Sequence, residues 1–451
     1  MDDLIEGLNR SAKLFVDSGV AKTVEEAMDR LRAFRLHIVI GEGASRRPTH
    51  QAALLTALNC GRRTFLGGVT VSGALQAPLA VRIVPAETLA DAVRHLKGQI
   101  VQEAPAGVPV IAIGTALDPA DGFAVRTTFS GWCGGIVPAS ATPLDEATEF
   151  ALSGVLAGAL GVAEAFAHMD GDIMAGSRAV GLSLWDPAAD WRLAVADGSV
   201  PDVLPADFWL IGLGHLGQAF LWAIGLLPYP NPDEVRLFLQ DVDTVGASTE
   251  STSVLTTAAD DGEMKTRVCA DWARARGFKS RLVERRFAQD LRVAPDEPAL
   301  GLCGVDNPQA RALLEGAGFA TVYEAGLGDG SGDFRLIRTH SFPAPVSAAE
   351  VWADQGEVAV TTDLDSLPSA YRDLSDRGTL DQCGVTKLAQ VAVGAPFVGM
   401  VAAALVVAQT VRMTVDGIRA TVCNLDLTCL QHRSRVMREG SEAVIFKTTK
   451  A

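Results

Sequence analysis

The segment FWLIGLGHLGQAF, Phe208 to Phe220, constrains the chain more than any other stretch of it. Four apolar residues run into Gly-Leu-Gly-His-Leu-Gly and an apolar run follows, the order of a buried strand, a glycine turn and a helix. Gly212 suits the tight turn, Gly214 the close approach of backbone to a phosphate, and Gly217 the close packing of helix on strand. The free N–H groups at the start of the helix, with the positive end of its dipole, favour an anion there. The turn therefore predicts a phosphate-bearing ligand, and it would serve a dinucleotide or ATP equally. His215 is read as structural, because its side chain leaves from a helix start.

Around this turn strands alternate with helices. FWLIG is followed by the helix HLGQAFLWAIGLL, then the strand VRLFLQDVD, the helix GEMKTRVCADWARARG closed by Gly277, and strands in SRLVERRF and LGLCGVD. QARALLEGAG and the strand TVYEAGLG follow. This order predicts an α/β fold with a doubly wound, mostly parallel, Rossmann-like sheet. The first half repeats the theme in a degenerate form: LHIVIG as a strand, THQAALLTALNCG as a helix, RTFLGGVTV and VPVIAIGTAL as strands. Thr23-Val-Glu-Glu26 is a capping pattern within helical residues 1–35. The prolines of DGSVPDVLPAD, Asp197 to Asp207, mark a boundary. The expected division is 1–35 helices, 36–200 a degenerate α/β domain and 201–451 the phosphate-turn domain, with the halves related by an internal duplication.

Hydrophobic residues at 48% and charged residues at 21% fit a globular chain, and a formal net charge of −15 argues against a nucleic-acid partner. The seven cysteines show no paired C-x-x-C spacing, so neither a disulfide framework nor a thiolate zinc site is suggested. MDDLIEGLNR lacks the basic-then-apolar order of a signal peptide, and a cytoplasmic location is expected. VAVGAPFVGMVAAALVVAQ, Val391 to Gln409, is uncharged and long enough to span a bilayer, but it carries Pro396, is rich in Gly and Ala and has no flanking aromatic belt. A buried core helix, with no membrane partner, is the expectation.

Four motifs in order, LIGLGHLGQAF, LQDVDTV, MKTRVCADWARARG and GVDNPQAR, resemble the ThiF/MoeB family, the adenylating domain shared with ubiquitin-activating enzymes. The resemblance runs from about Phe208 to Gln409 and extends to the apolar segment with Pro396 and Gly399. It implies ATP and Mg²⁺ as cofactors, a ubiquitin-like protein whose C-terminal carboxylate is adenylated, a conjugating-enzyme acceptor and a homodimer. By the same resemblance Asp241 or Asp243 would hold the ribose, Lys265 would neutralise the phosphates, and Asp306 would bind Mg²⁺. Cys383, in DQCGVTKLAQVAVG, falls where related enzymes carry the cysteine that takes the acyl group as a thioester; Lys387 or a helix N-terminus would lower its pKa. The stretch His340 to Asp381 ahead of it is read as a flexible crossing loop. Cys303, in an apolar strand, is read as core.

One departure stands out. Where the family reads S-N-L-x-R-Q, this chain has Ser248-Thr249-Glu250-Ser251-Thr252-Ser253, and Thr252 cannot supply a cationic fork to phosphate. Arg46 and Arg47, in GEGASRRPTH, are the candidate replacements. The leading expectation is an ATP-dependent activating enzyme that adenylates a ubiquitin-like protein and passes it to Cys383. A scaffold that binds such a protein without adenylating it is the alternative, and an NAD-dependent dehydrogenase ranks behind both.

Overall fold

The computed structural model describes residues 7–117, 122–194, 198, 201–353, 366–438 and 446–451. Alternating apolar runs form two sheets. The first contains β1 (Leu36–Ile40), β2 (Val69–Gly73), β3 (Gln99–Ile100), β4 (Val110–Ile113), β5 (Ala124–Ser130), β6 (Cys133–Pro138) and β7 (Val180–Ser183), in the order β3-β2-β1-β4-β5-β6-β7. After the short β8 (Val203–Pro205), the second contains β9 (Asp207–Ile211), β10 (Arg236–Gln240), β11 (Lys279–Val283), β12 (Leu300–Cys303), β13 (Thr321–Leu327), β14 (Leu336–Phe342), β15 (Arg419–Asp426) and β16 (Arg433–Arg438). Its order is β11-β10-β9-β12-β13-β14-β15-β16. β17 (Thr448–Lys450) pairs with β8.

The two sheets share the order of seven strands, to which the second adds β16. In each, five parallel strands reverse their winding beside the first strand, between β1 and β4 or between β9 and β12, and antiparallel strands complete the edge. Such a reversal opens a crevice beyond the carboxyl ends of the strands, where ligands bind. The shared strand order supports the duplication expected from the sequence.

Between the sheets lie four helices, Pro48–Thr64, Ala151–Met169, His215–Gly225 and Pro396–Asp416. The Ala151 and Pro396 helices are long and apolar enough to cross a membrane, and both are buried within the protein. Their small residues serve close helix packing: a Cβ on Gly158 would stand 2.4 Å from the Ala53 carbonyl oxygen, and one on Gly154 2.2 Å from that of Thr49.

Local differences from the sequence reading have simple causes. Arg63 and Thr64 of RTFLGGVTV end a helix rather than open a strand, because Arg63 caps carbonyls in the other half: its guanidinium donates to Ser253 O at 3.2 Å and Thr256 O at 3.0 Å. QARALLEGAG makes a single helical turn, Pro308–Ala312, and then a 3₁₀ turn. The stretch read as a crossing loop begins inside β14 and contains helices Ala348–Val351 and Ser369–Asp376; residues 354–365 lie outside those described.

Candidate active site

The phosphate turn is built by steric necessity. Gly212 has φ +82°, and a Cβ there would press on Val305 at 2.7 Å, while a Cβ on Gly217 would stand 1.9 Å from the Gly212 carbonyl oxygen. Above Gly214 nothing lies within 4 Å of an added Cβ, and the His215–Gly225 helix has no side-chain cap. An open space above uncapped N–H groups fits a phosphate.

The carboxylates at the end of β10 divide their work. Asp241 accepts from the backbone N–H of Leu213 at 2.6 Å and from those of Val242 and Asp243 at 2.7 and 2.9 Å. It braces the turn, and of about four lone-pair positions it keeps one for a ribose hydroxyl. Asp243 is exposed and pairs with the Lys265 ammonium at 3.1 Å. Lys265 opens its helix, with its backbone N–H donating to Asp243 O at 3.0 Å, so strand end and helix start are tied twice. Across the crevice, Asp306 follows β12 and is exposed, accepting no hydrogen bond from a described residue.

The cation near Asp306 is Arg10, which the sequence reading missed. Its backbone N–H donates to Ser251 Oγ at 3.3 Å, its carbonyl accepts from Gly394 N at 3.3 Å, and Ser11 Oγ donates to Gly394 O at 2.9 Å. These contacts insert the N-terminal segment between the Ser248–Ser253 turn and the start of the Pro396 helix. Burial lowers the Arg10 guanidinium from its ordinary value and the Asp306 charge opposes this. Among the described residues the guanidinium has no hydrogen-bond acceptor. A lone Arg in a turn ahead of the short Lys13–Asp17 helix carries no sequence signal of such a role.

Arg46 and Arg47 are elsewhere. Arg47 is fixed by Glu149 at 2.5 Å and by the Glu146 carbonyl, and Arg46 is exposed. Both stand at the first end of the 17-residue Pro48–Thr64 helix, whose last turn touches the Ser248–Thr256 segment. At 1.5 Å per residue that helix separates them from the site by about 25 Å. Thr252 itself is buried, its methyl 3.2 Å from a Cβ position on Gly394. Neighbouring Glu250 pairs with Arg62 at 2.9 Å and Lys97 at 3.3 Å.

His215 has the structural place expected. Gly399 leaves room for its ring, since a Cβ there would stand 2.4 Å from Nε2, and burial pushes the imidazole down to about 4. Cys303 is core, its thiol pushed up to about 12 by burial. Cys383 is exposed as the second residue of the Gln382–Ala389 helix, which Asp381 caps by accepting from Gly384 N at 2.8 Å. Lys387, one turn on, is exposed on the same face. The other end of this helix meets the N-terminal segment, where Lys13 Nζ donates to Ala389 O at 3.3 Å.

A buried polar network supports the Asp306 turn. The Arg311 Nε donates to the Val305 carbonyl at 2.7 Å and a terminal nitrogen to Ala325 O at 3.2 Å. Its charge is met by Glu324, fully buried, at 3.3 Å, and Glu324 Oε1 also contacts His340 Nδ1 at 2.5 Å and accepts from Trp352 Nε1 at 3.1 Å. Val305 packs on Gly212, so Arg311 fixes the phosphate turn and the Asp306 turn together.

No group of three or more His, Cys, Asp or Glu side chains among the described residues forms a metal site. Mg²⁺ nevertheless suits the crevice, because it is commonly bound by one or two carboxylates with the rest of its shell from phosphate and water.

Comparison with known proteins places the chain. Residues 35–184 match the family described as "BilD N-terminal domain" and residues 204–417 the one described as "BilD C-terminal domain". The bacterial E1-like protein BilD of Collimonas sp. (strain OK412) is 44% identical over 410 residues, spanning 90% of this chain and 88% of the relative. Two solved structures, MccB of E. coli with MccA-N7isoASN and PaaA, are 14% and 16% identical. They cover 52% and 54% of this chain and 65% and 64% of their own, with TM-scores of 0.33 and 0.31 that carry no weight here. The protein belongs to the BilD family of bacterial E1-like proteins.

Proposed function

We propose that the chain is an activating enzyme of the ThiF/MoeB type, which adenylates the C-terminus of a ubiquitin-like protein and takes the acyl group onto Cys383. The observation that carries this reading is the crevice at Gly212–Gly217, where an uncapped helix start, Lys265, Asp306 and Arg10 surround an open space. The carboxylate of the partner would attack the α-phosphorus of ATP, forming the acyl–phosphate bond as the bond to pyrophosphate breaks. The helix start and Lys265 would meet the phosphate charge as it shifts, and Arg10 would supply the cation that Thr252 cannot. Asp306 would provide the protein carboxylate for Mg²⁺, which neutralises the phosphates. Asp241 would hold a ribose hydroxyl with its remaining lone pair while keeping the turn closed.

In the second step the Cys383 thiolate would attack the acyl carbon, forming a thioester and releasing AMP, before transfer to a conjugating-enzyme thiol. Exposure of Cys383 at a helix start supports this role. The reading also includes a cytoplasmic location and a homodimer, although two α/β units already pair within one chain. A scaffold that binds the partner without adenylating it is the second reading, favoured by Thr252 being buried where the family carries an arginine.

The test is an ATP-dependent adduct with the ubiquitin-like protein encoded nearest this gene, resolved on gels with and without thiol. Wild type should form a thiol-reducible adduct and Cys383→Ala none. A reducible adduct of equal yield on Cys383→Ala would remove Cys383 from the mechanism.

A further inference from the structure

The first half has its own crevice. A cavity of about 740 Å³ lies beyond the carboxyl ends of the first sheet, where the Pro48–Thr64 and Ala151–Met169 helices begin, and the second half closes its far side. Val81, Phe150, Leu227 and Phe278 give it apolar walls. The volume falls in the range of small-molecule sites, about 300–1,000 Å³.

One basic group on its wall lacks an ion-pair partner among the described residues. Thr49 is 0% exposed, and its backbone N–H, at 2.9 Å, and its hydroxyl are both engaged by Glu149. Arg276 donates to the Trp272 carbonyl at 2.7 Å and lies 3.6 Å over that ring, while its Nε is buried without a hydrogen-bond partner among the described residues. Among the described residues Arg276 forms no ion pair, and burial pushes its guanidinium down to about 9. A desolvated cation without a counter-charge is costly unless an anion arrives. The acids on the same wall form no ion pair with it among the described residues: Glu149 is held by Arg47 and Thr49, Asp202 is exposed at the rim, and the carboxylate of Ala451, also on the wall, does not reach it. Glu149 also occupies the start of the Pro48 helix, where the second half leaves Gly214 open, which disfavours a polyphosphate.

We propose that this cavity is a second binding site, for a small molecule that carries one anionic group on an apolar body. The anion lies against Arg276, and the apolar body fills the space between Val81, Phe150, Leu227 and Phe278. This site is independent of the reaction at Gly212–Gly217.

The probe is anilinonaphthalene sulfonate, a monoanion on an apolar body, titrated into the full chain and followed by its fluorescence. One saturable site per chain is expected, weakened at least tenfold by Arg276→Gln. Ala80→Trp, which fills the cavity from an exposed rim position, should weaken it as much. Arg276→Gln counts only if it keeps the wild-type urea midpoint; otherwise Ala80→Trp decides alone. Absence of a saturable site in wild type, or wild-type binding by a folded variant of either kind, overturns the proposal.

Discussion

Arg311→Met tests the network beneath the active site. The substitution removes two hydrogen bonds, to Val305 O and Ala325 O, and takes the guanidinium away from Glu324, which stays fully buried with His340 and Trp352 against its Oε1. Breaking a buried pair from one side costs about 3–5 kcal/mol, chiefly through the stranded charge. Adding Glu324→Gln removes that charge while the amide oxygen still accepts from Trp352 Nε1, leaving mainly the two lost bonds at about 1 kcal/mol each. The double variant should therefore be more stable than the single by about 1–3 kcal/mol. Urea unfolding followed by tryptophan fluorescence, with equal slopes required, reads both differences. If Arg311→Met costs under about 1 kcal/mol, or the double variant is the weaker, the stranded-charge argument is wrong.

Two further outcomes follow from single residues. Arg10→Gln should lower adenylation about 10²–10³-fold, the loss typical of one electrostatic donor, yet leave the urea midpoint nearly unchanged because the guanidinium has no hydrogen-bond acceptor among the described residues. An unaltered rate would assign the cation elsewhere. His37, buried between Thr70 Oγ1 at 2.8 Å and Ser72 Oγ at 2.9 Å, has its imidazole pushed down to about 4 by burial. Its unfolded form binds a proton near pH 6.5, so its contribution is complete above that pH and is lost as pH falls toward 4, by at most about 3 kcal/mol. Urea midpoints of wild type and His37→Gln between pH 7 and 4 should converge by that order; parallel curves would refute it.

The sequence made the second half legible because its signals are local. Strand FWLIG, Gly212, Gly214, Gly217, the carboxylates after β10 and Lys265 lie within two successive α/β units, legible from periodicity, turn geometry and, for Lys265, the family resemblance. The Pro396 helix was legible as core because its glycines and proline favour close packing over a bilayer. The first half was harder to read: β6, with its GWCGG start, and β7 lack clean alternation because the strands are buried on both faces. Arg10 and Arg311 were not legible, since each acts through long-range packing. Arg10 reaches Ser251, Gly394 and Asp306 only once the N-terminal segment is inserted between them, and Arg311 meets Glu324 across a strand. Arg46 and Arg47 looked suitable by charge alone; the length of one helix removes them.

The central claim is that the Gly212–Gly217 crevice adenylates a protein carboxylate. ATP–pyrophosphate exchange with Mg²⁺ and the ubiquitin-like protein encoded nearest this gene measures it directly, in wild type and in Asp306→Ala. Exchange that requires the partner and is abolished by Asp306→Ala is the predicted result. Measurable partner binding without exchange in wild type would contradict the account and leave a scaffold.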